Sequence, residues 1–267
     1  MQLELSLQEL MVLVKDLSQP IVTHFKQPVE WITKADGTPV SQVDIEINDS
    51  FRDWCAQRGD IGFVGEEGSG TDPQQYEHIL FLDPLDGTKA YKKGNNTCST
   101  VATIMKRGKG GLWRPGMAVI FSPLINLLSA AERGSGSIIE RSGQEIPGQV
   151  RNPNQEKYDV YVCAWPGVPF NLDRVRQDIE DGELFSQQRS CGTATSGSSI
   201  AAGTIDACVF GGRSATETAA MQLIVEEAGG YACDLSGNKL AGYELVVGGD
   251  GAFDFLLPNG AIIASSS

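Results

Sequence analysis

The chain predicts a layered α/β fold with helices and strands in both halves. Three observations carry this. A helical pattern led by a capping box opens the chain at Ser6. Apolar runs separated by Gly, Pro and Lys turns occupy residues 99–131. A strong helix over Thr216–Ala228 is followed by short strands.

Ser6-Leu7-Gln8-Glu9 has capping-box spacing, and Leu7, Leu10, Met11, Val14 and Leu17 recur at helical intervals. A first helix is expected from there to about Pro20, which ends or kinks it. Lys34-Ala35-Asp36-Gly37-Thr38-Pro39 is turn chemistry. Ser41 then opens a second helix, with Ile47, Phe51 and Trp54 on one face and Gly59 as its stop. Ile61–Val64 is a short strand that runs into the acidic, glycine-rich loop Gly65-Glu66-Glu67-Gly68-Ser69-Gly70. Ile79–Leu82 is the next strand and delivers Asp83 to a tight turn. Ser99–Met105, Met117–Phe121 and Leu127–Ala131 read as an antiparallel meander.

Around Ser142–Gln155 the composition turns polar, with Gly143, Pro147, Gly148 and Pro153. This predicts an N-terminal lobe over 1–145 and a C-terminal lobe over 146–267. The second half reads as strand Tyr158–Ala164, helix about Asn171–Asp181 and a short segment at Gln187–Ser190. A small-residue helix at about Thr195–Ala202 and strand Ala207–Phe210 follow. Helix Thr216–Ala228 turns Ala219, Ala220, Leu223 and Ile224 inward and stops at Gly229-Gly230. Short strands around Leu245–Val247 and Ala261–Ala264 close the chain.

Composition narrows the function. At 267 residues, 41% hydrophobic and 21% charged, the chain is of ordinary soluble globular type. No apolar run is long enough to cross a bilayer, and Met1-Gln2-Leu3-Glu4-Leu5 lacks a basic leader, so a cytoplasmic protein without membrane contact is expected. The net charge of −13, with no basic stripe, argues against a nucleic-acid polymer as partner. An anionic small substrate is compatible with that charge when bound cations reverse the local field. The six cysteines form no C-x-x-C pair and read as reduced core thiols, and neither His24 nor His78 sits in a catalytic or metal-binding context.

Asp83-Pro84-Leu85-Asp86-Gly87-Thr88 is the stretch with most chemistry. Two carboxylates three residues apart on a rigid turn repel unless a hard cation sits between them. Thr88 adds a hydroxyl and, at a helix start, free N–H groups, which together suit phosphate. Taken alone, P-x-D-G is also a common turn. The register is not that of an EF-hand, because Leu85 and Gly87 stand where oxygen side chains are needed. Glu66 and Glu67 also follow a strand, so two strand ends can point acids into one crevice; alone they read as a solvated loop. Ser214-Ala215-Thr216-Glu217 has capping-box spacing, so on its own Glu217 reads as a cap.

Together these elements resemble the inositol monophosphatase superfamily of magnesium-dependent, lithium-sensitive phosphatases. The matching pieces are Gly65-Glu66-Glu67, Asp83-Pro84-Leu85-Asp86-Gly87-Thr88, Lys34 through Asp44, and Cys191-Gly192-Thr193-Ala194 followed by Ala201-Ala202-Gly203 and Asp206. The helix ending Glu226-Glu227-Ala228-Gly229-Gly230 completes the set. The resemblance implies an α-β-α-β-α sandwich of the inositol monophosphatase/fructose-1,6-bisphosphatase type. It implies that Glu66, Asp83, the Leu85 carbonyl, Asp86 and Glu217 hold two magnesium ions, with manganese as an alternative. Asp44 is expected near a weaker third ion. Glu66 and Thr88 would activate the attacking water, and Asp86, Gly87 and Thr88 would hold the phosphate. The implied partner is a small phosphorylated substrate, and family members often form homodimers.

Two departures stand out. Thr216-Glu217-Thr218-Ala219-Ala220 replaces the family's Trp-Asp-x-Ala-Ala, so the aspartate ligand becomes a glutamate one methylene longer. Phe210 stands near the place of an acidic residue that contacts the sugar-like ring in inositol phosphatases. The continuation to Lys89, and Phe121-Ser122-Pro123 leading to Ser129-Ala130-Ala131-Glu132, resemble the 3'(2'),5'-bisphosphate nucleotidase branch. A nucleotide also suits an aromatic pocket. The expected reaction is magnesium-dependent hydrolysis of a phosphate monoester, first on such a nucleotide and second on an inositol or sugar phosphate. A non-catalytic metal- or phosphate-binding protein is the alternative of another class.

Overall fold

A computed structural model describes residues 3–34, 37, 39–70, 72–152, 158–163, 173–182, 184–186, 192–212, 214–248, 252–257 and 260–266. Among the sequence expectations, the segment Gln187–Ser190, Cys191, and parts of the 35–38 turn and of the 171–181 helix lie outside these residues.

Helix α1 (Leu7–Leu17) starts at Ser6 with the expected capping box, worth roughly 1 kcal/mol. It stops three residues before Pro20, as expected, because proline lacks an N–H and its ring blocks the carbonyl four residues back. The chain breaks at Ser18, and Pro20 sits in the first turn of α2 (Gln19–His24), where its missing N–H costs nothing. Strands β1 (Trp31–Thr33) and β2 (Pro39–Ser41) pair antiparallel, and Ser41 caps α3 (Gln42–Arg58) in a second capping box with Asp44. Gly59 ends α3 in the left-handed conformation at φ 73°. The buried face of α3 carries Val43, Ile47, Phe51 and Cys55, and also the polar Asp44 and Asn48; Trp54 is only half-buried.

Strands β3 (Gly62–Gly65), β4 (His78–Asp86), β5 (Ser99–Arg107), β6 (Trp113–Ser122), β7 (Leu127–Glu132), β8 (Ser137–Arg141) and β9 (Gln144–Pro147) form one seven-stranded sheet in chain order. β3 and β4 are parallel, and every later neighbour is antiparallel, as the meander required. The short helix α4 (Thr88–Lys92) follows β4. Strict alternation sorts side chains to the two faces. Leu80, Leu82, Ala102 and Val119 pack with α1 and α3, while Ile79, Phe81, Val101 and Ile120 face the opposite core.

The second half supplies β10 (Tyr158–Cys163), α5 (Asp173–Glu180), β11 (Leu184–Ser186), α6 (Ala194–Ala201), β12 (Ala207–Phe210) and α7 (Thr216–Glu227). β13 (Tyr231–Cys233), β14 (Glu244–Val247), β15 (Phe253–Leu256) and β16 (Ala261–Ala264) complete it. A five-stranded sheet runs β11-β10-β12-β16-β13, and β14 pairs with β15. Helices α6 and α7 lie between the two sheets, so α7 is buried from Thr218 to Val225 and not along one stripe. The layers therefore run helix, sheet, helix, sheet, with α5 beside β11, matching the expected α-β-α-β-α sandwich. Asp206, buried before β12, takes a bidentate grip from Arg151 (2.6 and 2.5 Å) that ties the connection after β9 to the second sheet. Among the described residues the thiols Cys55, Cys98 and Cys233 are free. No helix among the described residues is long and apolar enough to cross a membrane.

Candidate active site

Asp83 and Asp86 stand on a strand, not in the expected turn. Residues three apart on a regular strand point to opposite faces. β4 avoids this with a bulge. Asp83 pairs with Val101 and Asp86 with Ser99, so three steps on β4 match two on β5. The slip brings both carboxylates to one side. Pro84 sits in the bulge, where a residue without an N–H is tolerated, and its carbonyl accepts the Thr100 hydroxyl at 2.9 Å.

Each acid is then pinned. Asp83 Oδ1 accepts the Leu85 N–H at 2.9 Å. Asp86 accepts the Thr193 and Ala194 N–H groups, both at 2.8 Å, at the start of α6. Gly192 approaches Asp86 so closely that a Cβ there would lie 2.2 Å from Oδ2. Glu217 is not a cap. The N-cap of α7 is Ala215, which offers no side-chain bond, and Ser214 bonds to Thr216 instead. The Glu217 carboxylate joins the other two, and one oxygen each of Asp83, Asp86 and Glu217 lies within 4.8 Å of the others.

Such proximity shapes the charge. Burial, then the charges of Glu66, Asp86 and Glu217, push the Asp83 carboxyl well above the usual range. Burial outweighs the two backbone N–H bonds at Asp86 and pushes it up to about 7. Burial and Asp86 push Glu217 up to about 8. Among the described residues no Lys, Arg or His forms an ion pair with any of the three. Three converging carboxylates with no protein counter-charge fit a hard divalent cation.

A pH dependence follows for protein stripped of divalent ions. These carboxyls hold more protons folded than unfolded. Stability therefore falls as pH rises from the unfolded carboxylate range, near ~4, through the folded values of about 7 and about 8. Thermal melts in a chelator should show a higher Tm at pH 5 than at pH 8, and added magnesium should recover more at pH 8. Equal melting temperatures across that window would contradict the arrangement.

The remaining expected residues surround this centre. Gly87 caps α4 at φ 87°, a left-handed conformation that suits glycine. The Thr88 hydroxyl donates to the Leu85 carbonyl at 2.9 Å and lies 3.3 Å from Asp44 Oδ1. Asp44 is thus placed beside Thr88 and outside the three-carboxylate cluster; its other oxygen accepts from the Ser41 N–H and hydroxyl. Glu66 also lies outside the cluster, with its side chain 43% exposed, although its charge acts on all three acids. Lys34 bridges Glu66 at 3.2 Å and Glu67 at 2.6 Å. Burial pushes the Glu67 carboxyl up to about 7.

Three features escaped the sequence reading. Asn48 lies one helical turn beyond Asp44 on the buried face of α3. Its Oδ1 has no hydrogen-bond partner among the described residues, and a Cβ on Gly65 would meet that oxygen at 2.1 Å. A polar residue at i+4 from Asp44 on an otherwise apolar face was the available signal. The N–H groups of Thr193 and Ala194 left no side-chain signature. Asp254, on β15, bonds Ser214 at 3.2 Å and adds charge beside Glu217; burial pushes it up to about 6. No motif marked it.

The family model of the inositol monophosphatase family matches residues 6–267. The chain belongs to the inositol monophosphatase family. Among its relatives, Nus factor SuhB of Xylella fastidiosa is 31% identical over 185 residues, covering 67% of this chain and 62% of that protein. The chain thus spans under two thirds of that relative's length. Inositol-1-monophosphatase of Mesorhizobium japonicum is 26% identical over 77% of this chain and 76% of that one. The 3'(2'),5'-bisphosphate nucleotidase CysQ of Escherichia coli O6:H1 is 27% identical over 80% and 83%. An IMPase/NADP phosphatase crystallised with magnesium and phosphate shares the fold at a TM-score of 0.73. It is 19% identical, with 97% of this chain and 89% of that one covered.

Within this inositol monophosphatase-family fold, the two departures have different consequences. The Glu217 carboxylate reaches Asp83 and Asp86 in the acidic cluster despite its extra methylene. Phe210 ends β12 between Cys163 and Ala261, 2% exposed within the core around α7, so it is a packing residue and not an open stacking surface.

Proposed function

We propose that the chain is a magnesium-dependent phosphomonoesterase acting on a small phosphorylated molecule. The observation that carries this is the convergence of the Asp83, Asp86 and Glu217 oxygens within 4.8 Å. Asp83, Asp86, Glu217 and the second lone pair of the Leu85 carbonyl would hold the principal ions, with Glu66 on the open side. When bound, magnesium neutralises these acids, lowers the pKa of a water and offsets charge on the departing oxygen. The N–H groups of Gly87 and Thr88, in a first helical turn that leaves such groups without intrahelical partners, hold phosphate oxygens. The Thr88 hydroxyl, set between Leu85 and Asp44, orients the attacking water. Glu66 takes its proton and can pass it to solvent. Alignment and charge compensation then supply most of the rate.

The substrate in this reading carries a second anionic group. Lys89, Lys92 and Lys93 follow the phosphate-binding turn in α4 and at its end, and none forms an ion pair among the described residues. That favours a 3'(2'),5'-bisphosphate nucleotide over inositol 1-phosphate, although the base cannot stack on Phe210. Phosphate release should be measured from adenosine 3',5'-bisphosphate, inositol 1-phosphate and fructose 1,6-bisphosphate with magnesium or manganese. The highest kcat/KM on the nucleotide is expected. Metal binding without turnover on any substrate would favour a binding protein instead.

Glu217 sets the metal response. Shortening it by one methylene in Glu217→Asp draws the carboxylate back by about an ångström, a large step against oxygen–metal distances near ~2.1 Å. The magnesium concentration for half-maximal activity should change several-fold. An unchanged metal dependence would mean that Glu217 is not a ligand.

A further inference from the structure

We propose a second anion site at the end of the large sheet remote from the carboxylates, taking a small molecule with two or more phosphate groups. It goes beyond the phosphatase reading and does not depend on it. A cavity of 590 Å³ lies there, within the usual size of small-molecule sites. Five of the chain's 21 Lys and Arg residues line it: Lys106, Arg107, Lys109, Arg114 and Arg133. Among the described lining residues the only acid is Glu132. A hollow of 290 Å³ shares Arg114, Pro115 and Arg133 with it and adds Lys239. Such concentration of positive charge is unexpected on a protein of net charge −13.

The cations divide by commitment. Arg133 donates to the Pro115 carbonyl at 2.9 Å and pairs with Glu226 at 3.1 Å. Arg107 lies over the Trp113 ring at 4.9 Å and donates to the Gln74 carbonyl. Lys106, Lys109, Arg114 and Lys239 have no ion pair among the described residues. They come from the end of β5, the turn after it, the start of β6 and the loop after β13, and they line two adjoining hollows instead of forming a linear stripe. A half-open hollow of this size suits a compact polyanion better than a long nucleic-acid strand.

His78 reports on the site. It lines the cavity at the start of β4, and burial and Lys106 hold its pKa below the usual histidine range. Asp83 lies five residues along the same strand, on the order of 17 Å away. Methylenediphosphonate, which resists hydrolysis, is the probe, added to the full chain in magnesium buffer. NMR of the two histidine rings should show saturable movement of His78, with its pKa rising, while His24 stays still. Lys106→Glu/Arg114→Glu should weaken the His78 response at least tenfold, and Lys109→Glu, on the exposed turn, should weaken it less. Circular dichroism checks that the variants fold. No His78 response, or a response unaffected by all three charge changes, would overturn the proposal. A response to a single-stranded oligonucleotide but not to the diphosphonate would overturn it in favour of a nucleic-acid surface.

Discussion

Asp83→Asn should lower phosphate release by a factor on the order of 10³ or more while raising the stability of the metal-free protein. The two effects share one cause. Asp83 is 2% exposed and pressed against Asp86, Glu217 and the charge of Glu66. Without a cation, ionised Asp83 adds repulsion in a site where the field is poorly screened. The neutral amide removes that repulsion and keeps the shape. With a cation the sign reverses, because the amide supplies no negative charge to the metal, and loss of such preorganised electrostatics typically costs factors of about 10²–10³ or more. Magnesium should therefore raise the Tm of the parent protein far more than that of the variant. Phosphate release by the variant close to the parent rate would remove Asp83 from the site, and a lower Tm in chelator would show that its role is structural.

The second large effect is expected at Gly192. Its Cα hydrogens face Asp86, and an alanine Cβ would lie 2.2 Å from Oδ2, 2.8 Å from Cγ and 3.0 Å from the Asp86 carbonyl oxygen. The carboxylate cannot swing away freely, because the Thr193 and Ala194 N–H groups grip it. Nor can Gly192 retreat without losing its bond to the Thr97 carbonyl at 2.8 Å. Gly192→Ala should thus displace Asp86 by about an ångström, for which losses near ~10²-fold in kcat are typical. Overpacking should also cost about 1–3 kcal/mol of stability. Phosphate release and urea unfolding measure the two separately. Full activity would show that the α6 N-terminus does not position Asp86.

These expectations depend on features of different legibility. The capping box at Ser6, the helix start at Ser41, the Gly59 stop and the alternating strands of the meander are local, and they formed as read. Pro20 ended α1 as read and also opened α2, because proline excludes only the helix N-terminal to it. Pro84 was read as a turn residue and became a bulge, since β5 offered a pairing edge that the sequence of β4 does not show. β9 lies in the polar stretch read as a boundary, and it joins the sheet by pairing with β8, which in turn pairs with β7.

The sequence by itself determined the layered fold, the helix ends and the acids at Asp83, Asp86 and Glu66, all of which follow from spacing within a few residues. Only the tertiary structure decided how those acids meet. It turned Asp83 and Asp86 to one side through a register slip and brought Glu217 to them from 131 positions later than Asp86. It also left Glu66 outside with Lys34, and set Asp44 against Thr88. Capping and alternation are short-range preferences of the backbone. The meeting of carboxylates that repel one another is imposed by the packing of α6 and α7 between two sheets.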